Sequence, residues 1–289
     1  MSDLLSLRDI GAEAVREILA LAEQADLGRP LAGQGVALVF EKPSARTRNS
    51  MEMAVVQLGG HPVYIQKDEV GIDSRETAED VARTLACYHR VIAARVKQHD
   101  HLTRMAAATQ APVLNLLSDT DHPLQGLADL LTIRQLAGRI EGVKVAFLGD
   151  GENNVARSLA EGCALLGAEL IIATPPGFEL QNAPDGVRQV SDPAQAVAGA
   201  QFVYTDVWVS MGQDAESGQR MLAMEPFRVT PELMARADNA WFLHCLPARR
   251  GQEEVAEVID GPRSAVWRQA ENRMHTARGA LAWLVGARA

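Results

Sequence analysis

The sequence predicts an α/β protein built from two parallel-sheet domains. Three observations carry that expectation. Short apolar runs rich in β-formers alternate with stretches of helical period. Polar, often glycine-bearing segments follow those runs along the whole chain. At 289 residues the chain is long enough for two cores of ordinary size. Strands separated by helices of about 10–15 residues pair in parallel, with helices on both faces of the sheet.

Ile10 to Ala25 places Val15, Ile18, Leu19 and Ala22 on one face of a helix. Gly35-Val-Ala-Leu-Val-Phe40 is a strand, and Ser44 caps a helix carrying Met51, Ala54, Val55 and Leu58 before Gly59-Gly60 ends it. His61 to Ile65 is the next strand, and Gln66 to Ser74 a polar loop. A helix over Glu76–Tyr88, a strand over Arg90–Ala94, a helix over His99–Thr109 and a strand over Pro112–Leu116 follow. Asp121 stands as a cap for a long helix through Leu127, Leu130, Leu131 and Ile133, ending at Gly138. A second series then begins: strand Val143–Leu148, helix Asn153–Leu166, and strands at Glu169–Ala173, Phe202–Thr205 and Trp241–Leu243. Between them, 174–201 is rich in Pro and Gly and reads as surface, with a short helix near Pro193–Ala198. Ser264–Val285 is a long closing helix.

The expected boundaries are 1–136 for the first domain and 137–263 for the second, with 264–289 packing back on the first. The expected architecture has a cleft between the domains, bridged by the long helix and the C-terminal one.

A net charge of −9 argues against general binding of nucleic acid or anionic membrane, so a local cationic site in this chain suits a small anion. Cys87, Cys163 and Cys245 lie far apart, without the spacing of a zinc site or a disulfide framework. No signal peptide is read at the N-terminus, and no apolar run approaches the ~18 residues of a membrane span. The expected compartment is a reduced cytoplasm.

Parallel sheets carry their chemistry at the carboxyl ends of strands. There lie Ser44-Ala-Arg-Thr-Arg48, Arg95, His122-Pro-Leu-Gln125, Gly149-Asp-Gly-Glu-Asn-Asn154, Asp206-Val-Trp-Val-Ser-Met-Gly212 and His244-Cys-Leu-Pro247. A helix start beside Arg46, Arg48 and two hydroxyls offers N–H donors and guanidinium charge to a phosphate. Each signal has a bland counterpart: a capped helix with solvated arginines, a histidine that only caps, a buried cysteine. Their placement at one edge is what favours function. Gly149-Asp-Gly-Glu-Asn-Asn154 begins like a dinucleotide fingerprint, but Asn154 stands where the third glycine belongs, which disfavours a nicotinamide dehydrogenase.

Together SARTR, HPLQGLADLLTI, DVWVSMG and HCLPARRG resemble the transcarbamoylases, from about Phe40 to Arg273 and in that family's order. The SMG loop and HCLP are most similar to its ornithine-specific members. That resemblance implies transfer of a carbamoyl group from carbamoyl phosphate to the δ-amine of L-ornithine, with no cofactor and no metal. It implies that Ser44, Ala45 (through its backbone), Arg46 and Thr47 hold the phosphate. Thr47, Arg95 and His122 would face the carbonyl oxygen and Gln125 the amide, with Arg273 completing the carbamoyl-phosphate site. Asn154, Asp206, Ser210 and Met211 would bind ornithine, Asp206 pairing its α-ammonium. Cys245 and the Leu246 backbone would lie beside the reacting amine. Arg46, Arg95, His122 and Cys245 are the expected catalytic set, and a homotrimer or multiple of trimers the expected assembly. Ala45 departs from the family's usual threonine and costs one hydroxyl contact. The loop Gln66–Gly71 stands where members lend a glutamine to the neighbouring subunit, and no residue here is assigned that part. The stretch Gln181–Val190 is shorter than usual. A transcarbamoylase for another amine such as putrescine, and a non-catalytic family member, are the competing readings.

Overall fold

The computed structural model describes residues 2–209, 217–237 and 239–289. Its contacts divide the chain into two units, Met1–Ala128 with Asn272–Ala289, and Asp129–Glu271.

In the first unit the elements run α1 (Leu7–Glu23), β1 (Gly35–Phe40), α2 (Ala45–Gln57), β2 (His61–Gln66), α3 (Lys67–Val70), α4 (Ala78–Ala86), β3 (His89–Arg95), α5 (His99–Ala108) and β4 (Val113–Leu117). The strands form one sheet in the order β2-β1-β3-β4, every pair parallel. Phe40 lies level with Arg95, and Arg95 with Leu117, so the carboxyl ends of three strands form one row. Ala37, Val39, Ile92, Ala94 and Val113 pack beneath α4 and α5 against Val81, Ala82, Leu102 and Met105. The chain leaves this unit within α6 (Pro123–Ala137) and returns within α12 (Val266–Leu284).

The second unit adds β5 (Lys144–Leu148), α7 (Asn154–Leu166), β6 (Glu169–Ala173), β7 (Arg188–Val190), α8 (Pro193–Val197), β8 (Phe202–Thr205), α9 (Ser217–Met224), α10 (Pro231–Met234), β9 (Trp241–Leu243) and α11 (Ala256–Ile259). Its five-stranded sheet, β7-β6-β5-β8-β9, is again parallel throughout. Leu148 pairs with Thr205 and Tyr204 with Leu243, which brings the ends of β5, β8 and β9 together. Among the described residues no helix is long and apolar enough to cross a membrane.

The alternating grammar read from the sequence is the observed one, with three local corrections. Gln66–Ser74 is not wholly loop: Gln66 and Glu69 form a capping box over the single turn α3. Asp121 does not cap α6, which starts at Pro123; its carboxylate accepts the Thr120 hydroxyl at 2.6 Å instead. The edge strand β7 and the helices α9, α10 and α11 are absent from the sequence reading; β7, α10 and α11 are too short for so few residues to show a period.

Within the first unit α12 lies directly on α1. A Cβ built at Gly279 would stand 2.6 Å from the Ile18 carbonyl oxygen and 2.9 Å from the Ala22 nitrogen. The neighbouring Arg278 guanidinium caps α1 by donating to the carbonyls of Ala22 and Gln24. Gly279→Ala should therefore destabilise the protein by about 1–3 kcal/mol in urea unfolding, although alanine alone would favour the helix by about 1 kcal/mol. An unchanged or raised midpoint would mean that the two helices separate freely.

Candidate active site

At the row of strand ends in the first unit, Ser44 caps α2. Its hydroxyl oxygen accepts the Thr47 N–H at 3.4 Å, and its O–H donates to the Thr47 Oγ1 at 3.1 Å. Thr47 is buried, while Ala45 and Arg46 are exposed in the first turn, whose leading N–H groups have no partner within the helix. Arg48 is not part of this cluster. Its guanidinium lies 3.9 Å from the Tyr64 ring centroid and bonds Glu52 at 2.8 Å, so the sequence reading of two anion-facing arginines reduces to one.

Arg95 ends β3 and is 5% exposed; His122 stands immediately before α6 at 7%, and Arg273 on α12 at 6%. Burial first, then the charges of Arg273 and Arg95, hold the His122 imidazole well below its ordinary pKa. These three side chains are thus near enough to act on one another, and His122 is neutral at pH 7. Gln125 is buried in the first turn of α6, its N–H on the His122 carbonyl at 2.9 Å.

A brace behind Arg95 was not visible in the sequence. The Glu41 N–H donates to the Arg95 carbonyl at 2.9 Å, and Glu41 Oε2 accepts the Lys97 N–H at 2.8 Å. His101 joins this carboxylate at 3.2 Å to Asp73 at 3.3 Å, and Asp73 in turn takes both guanidinium nitrogens of Arg104. The network ties the loop after β2 to the end of β3.

In the second unit Asp206 follows β8 and is 7% exposed. Asn153 Nδ2 donates to its Oδ2 at 2.7 Å, and the Cys245 thiol lies 3.0 Å from its Oδ1. Asn153 also caps α7 by accepting the Val155 N–H at 2.7 Å. The sequence reading chose Asn154, the first residue of the helix proper, and missed Asn153, whose cap position was the signal that could have found it. Asn154 and Leu246 are half-buried. Ser210 and Met211 lie outside the described residues. Below Asp206, burial first, then Asp129, Cys245 and Asp206, push the Tyr204 phenol well above its usual range.

Two other chemistries fail on geometry. Asp206, His244 and Cys245 present ligand atoms within 4.8 Å of one another. Yet His244 Nδ1 already accepts the Leu246 N–H at 2.8 Å and Nε2 lies on Glu253 at 3.1 Å, so the imidazole offers a metal nothing. At the glycine-bearing loop, a Cβ on Gly151 would meet the Phe178 carbonyl at 2.6 Å. The close approach that a dinucleotide fingerprint reserves for pyrophosphate is filled by the chain's own backbone.

Residues 2–135 match the carbamoyl-phosphate-binding domain of the aspartate/ornithine carbamoyltransferase family, and residues 141–284 its aspartate/ornithine-binding domain. The chain is 44% identical to an ornithine carbamoyltransferase of Hyperthermus butylicus, over 98% of this chain and 97% of the other. It is 46% identical to one from Parafrankia, covering 89% and 85%. Among solved structures, ornithine carbamoyltransferase of Pyrococcus furiosus superposes with a TM-score of 0.91 at 41% identity, covering 97% of this chain and 96% of that one. With both of its domain models matched over nearly the whole length, the chain belongs to the aspartate/ornithine carbamoyltransferase family.

Proposed function

We propose that this protein transfers the carbamoyl group of carbamoyl phosphate to the δ-amine of L-ornithine, releasing L-citrulline and phosphate. The observation that carries the reading is a pair of strand-end clusters of opposite character: buried Arg95, His122 and Arg273 in one unit, and Asp206 with Cys245 in the other. The ornithine-specific names of the relatives support this acceptor over aspartate.

In this reading the phosphate sits at the start of α2, on the Ala45 N–H with Ser44, Arg46 and Thr47. Thr47, Arg95 and His122 donate to the carbonyl oxygen, while Gln125 and Arg273 complete the subsite. His122 serves as a neutral N–H donor, because a third buried cation beside two arginines would be costly. Among the described residues each Asp206 oxygen accepts one hydrogen bond, from Asn153 or from Cys245, and a carboxylate oxygen has a further lone pair to offer the α-ammonium of ornithine, with Asn154, Ser210 and Met211 alongside. The δ-amine must shed its proton before its lone pair can attack, and Cys245 and the Leu246 backbone would orient it. Attack forms the C–N bond and an oxyanion, for which one donor is worth roughly 3–4 kcal/mol in comparable sites. The carbonyl then re-forms as the C–O bond to phosphate breaks, and the departing phosphate takes the proton that the newly bonded nitrogen sheds; no oxidation state changes. The proposal includes a homotrimer or a multiple of trimers, and a cytoplasmic setting.

Arg46→Ala should lower kcat/KM for citrulline formation by about 10²–10³-fold. Its side chain is exposed, so the circular dichroism spectrum and melting temperature should stay unchanged. Full activity in the variant would put the phosphate elsewhere. The wild type should prefer ornithine to putrescine by about 10²-fold or more, and Asp206→Asn should raise the ornithine KM by about 10–10²-fold. Equal turnover of both amines would favour the diamine acceptor instead.

The depressed His122 also sets a pH dependence. Below its ordinary value of 6.5 the unfolded chain takes a proton that the folded one refuses, so stability falls as pH falls. The stability of His122→Gln relative to wild type should rise toward lower pH with a slope approaching about 1.4 kcal/mol per unit. Parallel urea-denaturation curves at every pH would show that His122 ionises freely.

A further inference from the structure

The turn after β9 contains a buried pair that carbamoyl transfer, as described, leaves without a task. His244 is 1% exposed and Glu253 fully buried. Because the Leu246 N–H donates to His244 Nδ1, that nitrogen carries no proton. The ring hydrogen is on Nε2 and donates to Glu253 Oε1 at 3.1 Å. The same oxygen accepts the Arg249 N–H at 2.6 Å, which pins the carboxylate to the far limb of the turn. From the other side, the His244 N–H donates to Gln269 Oε1 at 2.9 Å, and Gln269 Nε2 donates to Asp129 at 2.7 Å. The imidazole therefore has little freedom to rotate away.

Leu246 itself has φ +59, a left-handed conformation that is costly for an L-residue. Its bond to His244 offsets that cost. The other tautomer would set an Nδ1 hydrogen against the Leu246 N–H, donor facing donor, and turn a bare lone pair toward Glu253. We propose that Glu253 is a positioning residue: it selects the Nε2–H tautomer of His244 and thereby holds the Cys245–Leu246 turn in the shape that meets the acceptor amine. The purpose of the turn rests on the carbamoyl-transfer reading above; the tautomer does not.

Glutamine and leucine at 253 separate acceptor from bulk. Glu253→Gln keeps a carbonyl oxygen for both N–H donors, whereas Glu253→Leu keeps the volume and removes the acceptor. In the full-length protein, long-range ¹⁵N–¹H spectra should show wild-type His244 as Nε2–H, retained in the glutamine variant and lost in the leucine variant. Turnover of carbamoyl phosphate and ornithine should stay within about threefold for Glu253→Gln, with kcat falling about 10²-fold for Glu253→Leu and KM for carbamoyl phosphate little altered. An Nδ1–H wild type overturns the proposal. So does a leucine variant with normal kcat, or a folded glutamine variant as impaired as the leucine one. If the wild type forms no citrulline, the activity reading fails by itself, and the wild-type spectrum still decides the tautomer. It also decides if the leucine variant does not fold.

Discussion

Parallel pairing in register is the constraint from which the functional geometry follows. Each sheet finishes its strands on one line, Phe40 beside Arg95 and Leu117 in the first unit, Leu148 beside Thr205 in the second. A parallel strand usually hands its chain to a crossing helix, so most strand ends are also the approach to a helix start, β6 being an exception. Loops, helix-end N–H groups and polar side chains gather there because the topology sends them nowhere else. Ser44, His122 and Asn153 each stand where a helix begins, and Arg95, Asp206 and Cys245 each stand where a strand ends or has just ended.

The two units differ in electrostatic character at those ends. In the first, Arg95 and Arg273 are buried beside an imidazole that they help to keep unprotonated. In the second, Asp206 and Asp129 help to hold the Tyr204 proton firmly, as an environment rich in negative charge does. The two environments therefore favour charges of opposite sign. Arg220, buried on α9 and bonded to Asp150 in the β5 loop, adds a further buried ion pair on the anionic side. Burial there still raises the Asp150 carboxyl to about 6.

Much of this was legible before any coordinates. The strands announced themselves because central parallel strands are nearly continuous apolar runs, as in Gly35–Phe40 and Glu169–Ala173. The strand-end motifs were legible for the same reason, each following an unmistakable strand. What stayed hidden depended on side chains meeting across long sequence separations. Nothing in the sequence pairs Glu41 with His101 and Lys97, or His244 with Glu253. Arg48 was misread because stacking on Tyr64 is a property of the neighbouring strand β2, not of the helix that carries the arginine. Asn153 and Asn154 are chemically identical neighbours, and it is the cap geometry that carries Asn153 to Asp206.

The three cysteines occupy three different environments: Cys87 exposed, Cys245 half-buried against Asp206, and Cys163 sealed in α7. Burial pushes the Cys163 thiol up to about 12, so while the second unit is intact this sulfur is inert to alkylation and disulfide exchange at neutral pH. Its reactivity is released only by opening the fold around it. The chain thus carries a built-in gauge of its own integrity: the number of thiols a reagent can count reports whether the second unit is closed.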